Sequence, residues 1–156
     1  MEDLRVPKHR VQVEVLLPGG AVRKVAVFLS ESAASHSGPE RLSDLLNGSQ
    51  DFLPALDLET NQMTFLARRS IAAARVDPAH EPVAEPGIPT AHEVEVTLAD
   101  QRTLRGLITY VRPTDRARLL DELNDTHPFL RLVETRTVAL INKHHVTRIA
   151  LIGKPL

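Results

Sequence analysis

Arg41, Asp44 and Asn47 are the residues best spaced to act together in this 156-residue chain, and the trio returns as Arg118, Asp121 and Asn124. Both trios belong to the pattern R-x-x-D-x-x-N-x-x-x-x-F-L, closed by Phe52-Leu53 and again by Phe129-Leu130. On a helix, groups three apart share a face. The polar trio then lies opposite the leucine pairs Leu42/Leu46 and Leu119/Leu123. The bland use of such a face is an Arg–Asp pair at i,i+3, an Asn helix stop, or a tie to a neighbouring loop, worth only tenths of a kcal/mol. The functional use is a polar surface that meets a protein partner, presented twice. These six residues are the candidate partner-binding residues.

Other reactive groups are less well arranged. His144-His145 suggests a metal, but neighbours on a strand point to opposite faces, and no further His or carboxylate stands at zinc-site spacing. Arg68, Arg69 and Lys143 are the candidates for contact with nucleic-acid phosphate. Binding of single-stranded nucleic acid also calls for stacking aromatics, and the aromatics are few: Phe28, Phe52, Phe65, Tyr110 and Phe129. Phe52 and Phe129, each followed by Leu, read as core. Ser35 beside His36 is simple adjacency in a serine-rich loop, without a nucleophile elbow. No glycine-rich phosphate loop and no cysteine occur. The reading is therefore of a chain with no catalytic residue, no metal site and no cofactor.

The elements that must position these residues repeat as the motif does. HRVQVEV (9–15) matches HEVEVTL (92–98), and TFLARRSI (64–71) matches ALINKHHV (139–146). Alternation of Val11, Val13 and Val15 with polar residues predicts a half-buried strand. Pro18-Gly19-Gly20 and Ala99-Asp100-Gln101 predict turns into second strands, VRKVAVFL (22–29) and LRGLITYV (104–111). Lys24 aligns with Gly106, which reads as a bend or bulge. A short helix follows, with a capping box from Ser37 to Glu40, Pro39 in its first turn and a left-handed stop at Asn47-Gly48. Three further strands end each copy. A helix this short is marginal alone, so its leucines must dock on the strands.

Between the copies, Pro78, Pro82, Pro86 and Pro89 predict an extended, semi-stiff linker. The expected organisation is a first β-barrel repeat over 1–77, a linker over 78–91 and a second repeat over 92–156. Each repeat of about 65 residues is at the size where a domain folds alone with little margin, so the two are expected to pack together or pair strand edges. Hydrophobic content of 42% and charged content of 25% fit a globular chain. A net charge of −1 supplies no global field for nucleic acid or an anionic membrane. No apolar run approaches the roughly 20 residues of a membrane span, and the N-terminus has no secretory pattern. A cytoplasmic soluble protein is the expectation.

The V-x-V-x-L strand followed by L-x-G-x-I (Val94 to Leu98, Leu104 to Ile108), with the later I-N-K-x-x-V (Ile141 to Val146), resembles small bacterial Sm-like, SH3-type β-barrels. The R-x-x-D-x-x-N block after two strands is similar to a group of short, uncharacterised bacterial proteins of that type. Sm proteins place their helix before the first strand, whereas here it follows the second. The resemblance implies two tandem, mainly β barrels of order β-β-α-β-β-β and no established activity. The expected function is a non-enzymatic binding, scaffolding or regulatory adaptor acting through protein–protein contacts, with association of copies through barrel edges as an extension. The alternative is an Sm-like RNA-binding protein.

Overall fold

The computed structural model of the chain describes residues 8–34, 36–82, 89–111 and 119–152. Strand β1 (Lys8–Leu16) buries Val11, Val13 and Val15 and pairs antiparallel with β2 (Val22–Ser30) from Lys8↔Ser30 to Leu16↔Val22. Gly19 and Gly20 take φ of 82° and 90° in the turn between them, a conformation that glycine enters without a Cβ clash. Helix α1 (Leu42–Leu46) follows, then β3 (Phe52–Asp57), β4 (Gln62–Ala67) and β5 (Ala73–Val76). The second half runs β6 (Thr90–Leu98), β7 (Thr103–Tyr110), α2 (Leu119–Leu123), β8 (Phe129–Val133), β9 (Val138–Asn142) and β10 (Val146–Leu151). Among the described residues no helix is long and apolar enough to cross a membrane.

All ten strands join one antiparallel sheet, in the order β10-β6-β7-β8-β9-β5-β1-β2-β3-β4. The tandem barrels expected from the sequence are not closed: among the described residues the hydrogen bonding does not return on itself, and the sheet runs continuously through both halves by the pairing of strand edges that was the other expectation. Within each half the fifth strand pairs with the first, which leaves the fourth and fifth as edges. At mid-sheet those edges satisfy one another. β9 pairs with β5 from Ala73↔Ile141 to Val76↔Val138, so edge N–H and C=O groups find partners instead of facing water or other chains.

Period-2 alternation makes the shared strand serve two cores. Val138 and Leu140 of β9, with Phe129 of β8, enter the core built by β1, β2, α1 and β3. Ala139 and Ile141 enter the core of the second half, where Leu16, Ala72 and Ala73 of the first half join them. Leu42 and Leu46 are fully buried under α1, and Leu119 and Leu123 pack α2 on the second core. The leucine stripes thus do what their spacing predicts.

Several local expectations change. Helix α1 begins at Leu42, because Asp44 rather than Glu40 accepts the first free N–H, that of Arg41, at 2.8 Å. Glu40 accepts the Ser30 N–H at 2.9 Å instead. The stop at Asn47 is not left-handed: its φ is −88°, and the Arg68 guanidinium caps the Leu46 carbonyl at 3.2 Å. Gly106 lies opposite Val94 as Val25 lies opposite Val13, and the next residues, Leu107 and Ala26, meet β8 and β3 at the same place in the repeated motif, so Val25 and not Lys24 is its counterpart. A Cβ at Gly106 would run into the Val133 carbonyl, so this glycine admits β8 close against β7. Of the expected linker 78–91, the first described residues turn and the last, Thr90 and Ala91, already belong to β6. Pro78–His80 form a 3-10 turn, the Asp77 carboxylate accepts the Ala79 N–H, and Glu81 is buried.

Candidate functional site

A cleft of about 520 Å³ lies where the two halves meet, between α1 and the β8–β9 region. Arg41, Asp44, Asn47 and Lys143 all line it, so three partner-binding candidates and one phosphate candidate come together there. Each already has a chain partner. Arg41 donates to the Pro82 carbonyl at 3.2 Å and lies 3.7 Å from Asp44. The Asn47 side-chain oxygen accepts the Phe129 N–H at 2.9 Å, bridging the first half to the second. The Lys143 ammonium donates to the Asp125 carboxylate at 2.7 Å and to the Asp125 carbonyl at 3.1 Å, just past the end of α2. Arg68 does the same work after α1, through the Gln50 and Leu46 carbonyls.

The second trio is placed differently. Asp121 and Asn124 are exposed, and Arg118 lies outside the described residues. The Arg69 side chain is exposed, while its carbonyl accepts from Asn142 and meets the His145 ring at 2.9 Å. His144 is exposed on a 3-10 turn that replaces the expected strand. Among the described residues no group of three His, Asp or Glu is arranged to hold a metal ion. Ser35 lies outside the described residues. The His36 ring meets Asp44, with Nε2 2.6 Å from the carboxylate.

Sequence reasoning missed the buried anchor of the junction. The Glu81 carboxylate accepts the Ser43 N–H at 2.9 Å and the Ser43 hydroxyl at 2.6 Å, and pairs with Arg131 of β8. Its side chain is fully inaccessible, while that of Arg131 is 26% exposed. Nearby, Arg75 of β5 pairs with Glu134 from the second half and with Glu14, both at 3.0 Å. A Glu between prolines gave no sequence signal of this role.

Backbone hydrogen bonds, reinforced by charge pairing, set the titration of Asp44 and His36. Burial works against ionisation of Asp44, but the Arg41 N–H, the His36 ring and the Arg41 charge outweigh it and hold the carboxyl below its usual 3.8. The Ser37 carbonyl, then the Asp44 carboxylate, favour protonated His36 and raise it above 6.5. A raised histidine stabilises the fold fully below about pH 6.5 and loses that contribution as pH rises through the raised value. An NMR titration should therefore find the His36 midpoint above 6.5 in the wild type and nearer 6.5 in Asp44→Asn. A wild-type midpoint at or below 6.5 would remove the pair from the account.

The other missed feature is apolar. Phe52, expected in the core, is 61% exposed, and Met63 and Phe65 of β4 are 48% and 70% exposed. Phe129 occupies the same place in the repeated motif and is buried at 4%. The difference is position in the sheet: β8 and β9 lie at its centre beneath α1, whereas β3 and β4 lie at its end. With this geometry in hand, comparison with known proteins adds no relative: no family model, no curated protein and no solved structure matches the chain.

Proposed function

We propose that the chain is a tandem duplication of a small SH3- or Sm-type module and works as a non-enzymatic binding or scaffolding protein through protein–protein contacts. The repeated strand order supports the duplication: 5-1-2-3-4 in the first half and its counterpart in the second, each with a helix after its second strand. The observation that carries the function is the exposed apolar row of Phe52 on β3 and Met63 and Phe65 on β4, at a sheet edge that pairs with no further strand among the described residues. Soluble chains normally blunt such an edge with charge, proline or a covering element, and contiguous apolar exposure marks contact surfaces. The RNA alternative draws less support. Arg68 and Lys143 bond to the chain's own carbonyls and carboxylates.

The test compares captures by the wild type and by a Phe52→Lys, Phe65→Lys variant, with and without ribonuclease. Both side chains are exposed, so folding should persist, and circular dichroism checks it. Co-purifying proteins should be enriched at least tenfold by the wild type, insensitive to ribonuclease and lost from the variant. Equal capture by both chains would remove the edge as the contact surface, and recovery that depends on RNA would put the alternative first.

A further inference from the structure

The internal β9·β5 junction describes what the two free edges lack. Motif spacing and strand order match β4 to β9 and β10 to β5, with Phe52, Met63 and Phe65 standing where Phe129, Val138 and Leu140 stand. In the second half those three positions are 4%, 4% and 0% exposed, because they fill the core of the first half. In the first half their counterparts are 61%, 48% and 70% exposed. The other edge shows the same contrast: Leu151 of β10 is 48% exposed, and Val76, its counterpart on β5, is 2%. Even the polar clamp has a free equivalent. Asn47 accepts the Phe129 N–H across the junction, and Asn124, its counterpart beyond α2, is exposed.

From this match we infer that the occupant of the β4 edge is β10 of a second copy of the chain. The pairing is antiparallel and follows the internal register, placing Met63 opposite Leu151 and Phe65 opposite Ile149 of the next chain, as Val138 lies opposite Val76 and Leu140 opposite Ala74. Phe52, Met63 and Phe65 then enter the second core of the next chain, and Asn124 of that chain receives the Phe52 N–H. The two edges are different surfaces, so the contact is heterologous. Repeated, it yields a closed ring or an open filament. The inference rests on the protein-contact reading and narrows it to self-assembly.

The absence of cysteine gives a clean probe. Purified wild type should sediment at several times the chain mass at tens of micromolar, and Phe65→Lys should reduce it to one chain while keeping its circular dichroism. A chain carrying Met63→Cys and Leu151→Cys should give a covalent ladder on mild oxidation, reversed by reductant. Neither single variant should form more than traces of dimer. A wild type that remains one chain would overturn self-assembly, and edge-dependent capture of other proteins would then leave the broader reading standing. Efficient dimers from Met63→Cys alone would mean that two β4 edges meet, which also overturns the heterologous pairing. An assembly untouched by Phe65→Lys would place the contact elsewhere.

Discussion

Residues 1–82, expressed alone, should fail to fold, and mixing them with residues 89–156 should restore a native-like particle. The shared strand sets this expectation. Phe129, Val138 and Leu140 fill the first core from the second half, and burying a side chain of this kind is worth roughly 1.5–3 kcal/mol. Together they supply about 5–9 kcal/mol, whereas the core of a domain below about 70–80 residues, a size this 82-residue fragment only just passes, rarely supplies more than about 3–5 kcal/mol. Removing them exceeds the margin. The second half gives up only Leu16, Ala72 and Ala73, so residues 89–156 alone should be destabilised and aggregation-prone, with β9 uncovered, but not fully unfolded. Proton–nitrogen NMR spectra of each fragment and of the equimolar mixture are the measurement. A dispersed spectrum and a cooperative melt from residues 1–82 alone would show that the halves are independent domains.

The same shared strand separates what was legible in the sequence from what was not. Strand alternation at Val11, Val13 and Val15 and the leucine pairs of α1 and α2 were readable, because period 2 and period 4 report which side of an element is buried. The element order within each half was readable for the same reason. Closure was not. β9 reads as a continuous apolar run, VALI (138–141), and such a run says that both faces are buried without saying by what. One face lies in each of two cores, a fact that belongs to the pairing of β9 with β5 and not to either segment. Phe52 and Phe129 were indistinguishable for the same reason: the motif around them is the same, and their exposure differs only because one lies at mid-sheet. The polar trio was found by its spacing, but its role followed from residues far along the chain. Asn47 reaches Phe129, and Arg41 reaches Pro82.

Glu81→Ala is expected to cost about 3 kcal/mol, the lower end of the range for breaking a buried ion pair, because Arg131 retains some contact with water. Three separate partners lose an acceptor at once: the Ser43 N–H, the Ser43 hydroxyl and the Arg131 guanidinium. Arg131 is already strained for partners, since its Nε is buried without a hydrogen bond among the described residues. For a chain of this length the loss corresponds to a fall in Tm of roughly 6–12 °C. Arg131→Met added to Glu81→Ala should recover part of it, because the penalty is mainly the charge left unpaired and not the attraction that was lost. Glu81→Gln distinguishes charge from hydrogen bonding. It keeps an acceptor for Ser43 and removes the counter-charge of Arg131, so its Tm should fall between those of wild type and Glu81→Ala. Thermal melts of the four chains are sufficient. A change below about 2 °C in Glu81→Ala would mean that α1 and β8 are held together by apolar contact and the Asn47–Phe129 hydrogen bond without help from Glu81. A double variant no more stable than Glu81→Ala would mean that Arg131 contributes through its packed stem rather than its charge.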